Sequence, residues 1–142
     1  MEKLYAELLL WYVGFHSSEQ YNDLLNEYFL QDRENEVLLE LEWCSSDLLD
    51  SLGRFTRYWE HECLTFDCDS FGVQLFGGLK AAYEKTELTE FARLGFALYR
   101  ALPEEIAQTE PFYTLCYADE PLCWGDVEQT RMLYETAFAV YI

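Results

Sequence analysis

The sequence predicts an all-α fold, an irregular or orthogonal bundle of about seven helices that forms a single domain over residues 1–142. Apolar side chains recur at spacings of three and four residues along most of the chain, which is the period of an amphipathic helix. Only three prolines occur, and all of them lie in the last third of the chain. Because 51% of the residues are hydrophobic and 18% are aromatic, the chain can bury a core of the size expected for one domain.

Two helices are predicted in the N-terminal region, at about 3–15 and 19–30. The inward stripe of the first is expected to contain Leu4, Leu8, Trp11, Tyr12 and Phe15. Gly14 and the pair Ser17–Ser18 interrupt the pattern, and a serine at this position can cap the second helix. The inward residues expected on the second helix are Tyr21, Leu24, Leu25, Tyr28 and Phe29.

The third and fourth helices are predicted at about 34–44 and 47–62. Ser45 and Ser46 lie between them, and Ser46 can cap the fourth helix. Serine weakens a helix interior without forbidding it, so the two segments could equally form one continuous or kinked helix. The apolar residues that share a face across this break are Leu38, Leu41, Leu48 and Leu52.

A fifth helix is predicted at about 70–85 and a sixth at about 87–102. Asp67 or Asp69 is expected to cap the fifth, and Thr86 to cap the sixth. The fifth helix carries Gly72, Gly77 and Gly78, which suit a close approach between helices. Proline at 103 ends the sixth helix and can begin one further short turn.

The region from 109 to 125 is predicted to be irregular, with a possible short extended segment near 112–117. The start of the last helix is more clearly marked. Asp126 stands three residues before Gln129, which is the acidic relative of the Ser/Thr capping box. We expect this helix to continue to the end of the chain.

The chain carries a formal net charge of −18, from 27 acidic and 9 basic residues. A folded surface with this charge repels nucleic acids and anionic lipid, and it attracts basic proteins at long range. We therefore expect a basic protein partner, with no direct binding of nucleic acid and no membrane binding. The sequence leaves the oligomeric state open.

The sequence also predicts a cytoplasmic location. It shows no charged-then-apolar leader and no uninterrupted apolar stretch of about 18 residues, so neither secretion nor a membrane span is expected. The five cysteines are an odd number, which favours free thiols in a reducing compartment over a disulfide framework.

The residue patterns do not support catalysis or a bound cofactor. The potential metal ligands are His61, Cys63, Cys68, Cys116 and Cys123. Their spacings do not match the Cys-x2-Cys pairs of structural zinc sites, and free cysteines pack as small hydrophobic side chains. Asp67 and Asp69 could join a nearby glutamate around a divalent cation, but a helix cap is the simpler role for them. Because phosphate-binding and nucleophile motifs are also missing, we expect no enzyme, no cofactor and no metal.

The most distinctive candidate surface is an acidic stripe. Ten acidic residues lie between positions 19 and 50, where Arg33 is the only base. In a continuous helix Glu36, Glu40, Asp47 and Asp50 would share one face, and Trp43 would lie on it. An aromatic anchor among steering charges is typical of an interaction hot spot. The alternative is a solvated acidic face with Trp43 half-buried at its edge. The partner-binding residues predicted here are Glu34, Glu36, Glu40, Trp43, Asp47 and Asp50.

A second candidate surface is the segment 117–126. Its predicted partner-binding residues are Asp119, Glu120 and Trp124, because loops carry binding residues more often than cores do. The alternative is a connection that Leu122 and Trp124 fix to the core.

In its overall character the chain resembles the immunity proteins of bacterial polymorphic toxin and contact-dependent growth inhibition systems. It shares their short length, acidity, helical pattern and richness in Tyr and Trp. The resemblance implies a protein that binds and neutralises a basic cognate toxin domain, often a nuclease, in the cytoplasm of the producing cell. It transfers no role to any individual residue.

Two other functions fit the same charge. One is a nucleic-acid mimic that inhibits restriction or CRISPR machinery, with carboxylates in the place of phosphates. The other is an acidic chaperone or adaptor for a secreted effector. A metal-dependent enzyme that uses His61 and the cysteines is the remaining alternative, and metal analysis of the purified protein would test it.

Overall fold

The computed structural model describes residues 1–62 and 66–141, without the side chains of Trp59, His61 and Glu62. Within these ranges the regular elements are all helical, which confirms the all-α prediction. The helices are α1 (Glu2–Val13), α2 (Ser18–Gln31), α3 (Glu36–Trp43), α4 (Leu48–Glu62), α5 (Cys68–Lys85), α6 (Leu88–Ala101), α7 (Glu104–Ala107), α8 (Thr114–Tyr117) and α9 (Val127–Ala139), with a 3₁₀ turn at Glu120–Trp124. The nine helices of the described residues exceed the expected seven because α7 and α8 are single turns of four residues.

The chain divides into two compact units, Met1–Phe71 and Gly72–Ile142, and the division falls inside α5. We call them the first unit and the second unit. The prediction of a single domain over 1–142 stays a prediction.

In the first unit, α1 is the central element. It packs against α2 and α4, and every residue from Leu4 to Leu10 is buried. The ring of Tyr5 stacks on Phe55 of α4 at a centroid distance of 5.4 Å and on Phe71 at 5.6 Å. Burial raises the pKa of Tyr5 to about 12. The expectation that Tyr12 faces inward is wrong, since 44% of it is exposed, while its neighbour Val13 is buried.

The connection from α1 to α2 is short and polar. Gly14 ends α1 with a φ of 91°, a left-handed conformation that glycine adopts at no steric cost. The Ser17 hydroxyl accepts a hydrogen bond from the Glu19 N–H, which confirms the expected serine cap. Between them, Nδ1 of His16 lies 2.7 Å from Oε2 of the buried Glu7. This contact ties the connection to α1.

The chain breaks between α3 and α4, so the alternative of one continuous helix is wrong. The Asn35 side chain caps α3 by accepting hydrogen bonds from the N–H groups of Val37 and Leu38. The side chain of Asp47, not Ser46, caps α4 by accepting a hydrogen bond from the Asp50 N–H at 3.1 Å. An aspartate carboxylate is a strong N-cap acceptor, and it stands directly before the first helical residue.

The core of the second unit is a cluster of aromatic rings. Phe91 of α6 meets Tyr134 of α9 edge-to-face at 4.9 Å and Tyr83 of α5 at 5.2 Å. The cluster consists of Phe76, Tyr83, Phe91, Phe112, Tyr134, Phe138 and Tyr141. Edge-to-face and offset pairs of this kind add stability beyond their buried area.

Two of the three glycines singled out in α5 can be compared directly. A Cβ atom on Gly72 would overlap the ring of Tyr141, so this glycine permits a close approach. A Cβ atom on Gly77 would meet nothing within 4 Å. The neighbour of Gly72 is a side chain beyond the end of α9, so close helix–helix approach stays a prediction there, and it is wrong for Gly77.

The N-termini of α5, α6 and α9 test three of the capping predictions. Asp67 accepts hydrogen bonds from the N–H groups of Asp69 and Ser70, and Asp126 accepts one from the N–H of Gln129, as expected. For α6 the expected Thr86 cap is wrong. Glu87 is the cap, because its longer side chain folds back to the N–H groups two and three residues on. The short extended segment expected near 112–117 is also wrong, since this stretch forms a turn and α8.

Candidate functional site

The exposed face of α3 carries the central residues of the predicted acidic stripe. Leu38 and Leu41 are buried on the opposite side of the helix. The exposed residues on this face are Glu36, Leu39, Glu40 and Trp43. The last three follow Glu36 by three, four and seven positions, so all four lie side by side on the helix. Trp43 is 78% exposed, so the alternative of a half-buried tryptophan at the edge of the face is wrong.

Arg54 of α4 links the two helices at this face. Its Nη1 donates a hydrogen bond to Oε2 of Glu40 at 3.2 Å, and its Nε lies 3.5 Å from Oδ1 of Asp50. Glu40 and Asp50 are therefore brought together by a shared cation, although they lie on different helices. The sequence reasoning missed Arg54 because it lies just beyond the acidic span. The spacing of four residues from Asp50 was the signal that could have revealed it.

The other two stripe residues are placed differently from the prediction. Asp47 is exposed, but its carboxylate caps α4 and so has a structural role. Glu34 precedes the Asn35 cap and lies outside α3. A single continuous stripe is therefore wrong. The residues that the structure groups together, which we call the α3–α4 surface, are Glu36, Leu39, Glu40, Trp43, Asp50 and Arg54.

The α3–α4 surface combines a large exposed ring with carboxylates. Burying a tryptophan against a partner removes a large apolar area from water, and Trp is among the residues enriched at hot spots. The surrounding carboxylates attract and orient a cationic partner. The arrangement suits the recognition of a basic macromolecule.

The second unit contains a groove of about 710 Å³ between α6, the 3₁₀ turn and the start of α9. We call it the second-unit groove. Its apolar lining includes Ala92, Phe96, Leu122 and Val127, and its charged lining consists of Arg93 and Asp119. Asp119, one of the predicted binding residues, therefore faces a real concavity.

The two other residues predicted in this segment lie on the 3₁₀ turn. Glu120 is exposed, and Trp124 is 69% exposed. The alternative in which Trp124 fixes the segment to the core is wrong. Pro121 is buried instead, and its carbonyl accepts a hydrogen bond from the Asp126 N–H at 2.9 Å. The turn is thus fixed by its backbone, which leaves the indole outside.

Among the residues that the structure describes, no group of three or more His, Cys, Asp or Glu side chains is arranged to hold a metal ion. His61, as a side chain, and Cys63 lie outside the description, so the alternative that used them is not tested. Four of the cysteines are free thiols, namely Cys44, Cys68, Cys116 and Cys123. Cys44 is buried, where its Sγ lies 3.7 Å from the hydroxyl of Ser51.

Comparison with known proteins gives no family assignment, because no protein-family model, curated protein or solved structure matches the chain. Within residues 1–62 and 66–141, none of the helices has the length and apolar character needed to cross a membrane.

Proposed function

We propose that this protein binds a basic protein through the α3–α4 surface and blocks its action. The observation that carries the proposal is Trp43, which is 78% exposed on a helix face that also presents Glu36 and Glu40. An exposed indole gains the transfer free energy of its ring only when something covers it. The carboxylates beside it favour a partner surface that is rich in Lys and Arg.

The distribution of charge supports the same partner. The first unit contains 16 acidic and 4 basic residues, and one of those bases, Arg54, already bridges two carboxylates. Net negative charge at this density destabilises the compact state through self-repulsion, which an oppositely charged partner relieves. Association with such a partner is fast at low ionic strength and slows as salt screens the charges.

The finer proposal is that the partner is a toxin domain, most simply a nuclease, and that the complex forms in the cytoplasm. Its support is chemical. A nuclease must bind phosphate groups, so its substrate site is positively charged and attracts carboxylates. A rigid acidic helix face with a tryptophan anchor can occlude such a site.

The proposal is tested with immobilised wild-type protein and three variants as baits at low ionic strength. Trp43→Ala removes the anchor, and Glu36→Lys reverses one charge of the surface. Glu27→Lys makes the same charge change at an exposed position of α2 and is the matched control. Basic proteins captured from the native host by the wild type and by Glu27→Lys, and lost with the other two, are then purified.

Binding kinetics with the purified partner give the expected magnitudes. Trp43→Ala should weaken affinity by about 30-fold, chiefly through faster dissociation. Glu36→Lys should slow association roughly tenfold at low salt and less at high salt. Equal capture by all four baits would show that the α3–α4 surface is not the interface. A captured protein that arrests growth when expressed alone, but not with this chain, would support the toxin proposal; a harmless one would contradict it.

A further inference from the structure

The second-unit groove is a site that the acidic face of the first unit does not explain. At about 710 Å³ it falls within the size range of natural ligand sites, and its lining is mostly apolar. Ala92, Arg93 and Phe96 lie on one side of α6, next to the face that α6 buries in the aromatic core. The groove is therefore built on a packed helix.

Exposed apolar side chains continue the groove at its mouth. Phe96 is 37% exposed and Val127 is 40% exposed, and both line the groove. Trp124 belongs to the turn that forms one wall and is 69% exposed. A run of exposed apolar residues at a concave site marks a place where another molecule is bound.

The charges at the groove decide which kind of molecule fits. Asp119 lines the groove, and three further acids (Glu120, Asp126 and Glu128) stand beside the lining residues in the segment 119–128, which contains no base. The guanidinium of Arg93, on the opposite wall, is paired with the carboxylate of Glu90, with 3.0 Å between Nε and Oε2. The net field at the groove is therefore negative, and it favours a cationic occupant.

We propose that the second-unit groove binds a short cationic segment of a basic protein, with an apolar side chain of that segment inserted between α6 and the 3₁₀ turn. The inserted side chain covers Phe96, Leu122 and Val127, and flanking Lys or Arg side chains meet Asp119 and the acids that stand near it in the segment 119–128. The proposal rests on the proposed function in that the natural source of the segment is the basic partner. It adds a second contact, which would make the interaction two-sited.

Cys123 supplies a direct reporter of occupancy. It lines the groove and is exposed, so an alkylating reagent reaches it in the free protein, and a bound segment that covers it slows the reaction. Cys68 is also exposed but belongs to the first unit, between Asp67 and Asp69, so it reports any unspecific attraction of a cationic peptide to acidic surface. The probes are a short synthetic peptide of Lys and Leu and a peptide of the same length made of Glu and Leu.

The experiment measures the alkylation rate of each cysteine in the full chain by peptide mapping. With the Lys–Leu peptide at ten times its dissociation constant, the rate at Cys123 should fall roughly tenfold, because only the unoccupied fraction reacts. The rate at Cys68 should stay unchanged, and the Glu–Leu peptide should protect neither thiol. An absence of protection at Cys123, or equal protection by both peptides, would overturn the proposal.

Two matched variants localise the protection. Phe96→Arg fills the groove with a cation, whereas Met132→Arg makes the same charge change at a 59% exposed position of α9 that does not line the groove. Protection at Cys123 should be lost in the first and kept in the second, and loss in both would overturn the proposal. If Phe96→Arg fails to fold, the comparison of the two peptides on the wild-type chain still decides.

Because this assay contains no partner protein, its failure overturns only the groove. The bait experiment with Trp43→Ala tests the proposed function separately.

Discussion

The two units have equal lengths but unequal charge. The first contains 16 acidic and 4 basic residues, whereas the second contains 11 and 5. Both are helical, so the difference is not a consequence of fold class. The acidic residues are concentrated in the first unit, where the exposed Trp43 lies on a regular helix face. The second unit instead offers a concave apolar site.

The units also differ in the contacts that hold their helices. In the first unit, the Tyr5 ring stacks on Phe55 and Phe71, and polar side chains meet at the Glu7–His16 contact and around Arg54. In the second unit, a continuous cluster of rings fills the space between α5, α6 and α9. A ring cluster tolerates little change in volume, whereas an ion pair depends on keeping both partners.

The largest effect is expected from alanine at Gly72 in the second unit. The new methyl group would overlap the Tyr141 ring, and displacing that ring from Phe76 and Phe112 should outweigh the gain in helix propensity and destabilise the protein by about 2 kcal/mol. The control is Gly77→Ala in the same helix, which meets nothing within 4 Å and should stabilise by about 1 kcal/mol through helix propensity. Chemical denaturation of both variants measures the change in the free energy of unfolding, which should fall for Gly72→Ala and rise for Gly77→Ala. Similar stabilities would contradict the importance of ring packing in the second unit.

An intermediate effect is expected from the buried pair of the first unit. The Glu7 side chain is only 6% exposed, so its hydrogen bond with His16 is shielded from solvent. A double-mutant cycle with Glu7→Leu and His16→Ala, each of which removes the hydrogen bond, should give a coupling free energy of about 1 kcal/mol. The coupling should persist in high salt, because salt screens buried pairs weakly. A coupling near zero would remove the contrast between the units.

The smallest effect is expected at the cap of α6. Hydrogen bonds from the N–H groups of Thr89 and Glu90 hold the pKa of Glu87 below the ordinary glutamate value of 4.5. Because the folded pKa is lowered, this stabilisation is present at neutral pH, above 4.5, and it is lost as the pH falls through the folded pKa. Glu87→Gln should therefore be less stable than wild type at neutral pH, and the difference should shrink towards zero in acid.

The matched control for that pH profile is Glu84→Gln, which removes the same charge from an exposed position inside α5. Denaturation across the acidic range gives both profiles. If the two variants track each other at every pH, the change comes from total charge and the cap has no measurable role.

Local signals in the sequence were sufficient for much of the fold and for part of the site. The sequence predicts a cap from the pair Ser17–Ser18, from Asp67 or Asp69, and from Asp126, because a cap is a contact between a side chain and the next few N–H groups; the caps are Ser17, Asp67 and Asp126. The caps predicted at Thr86 and Ser46 are wrong. In each case the next residue, Glu87 or Asp47, carries a carboxylate that accepts the hydrogen bonds of the helix N-terminus instead. Trp43 was placed correctly beside Glu40 because α3 alone sets that spacing.

Composition and local spacing were enough to predict the helical class, the net charge of −18 and the approximate position of the long helices, since these depend on composition or on residues a few positions apart. Tertiary structure decided the rest. It brought Glu40 and Asp50 to one arginine, gave Asp47 a structural role and formed the groove from α6 and a turn that is separated from it in the chain by α7 and α8. Those outcomes depend on contacts between helices that are far apart in the sequence, and such contacts form only when the chain folds.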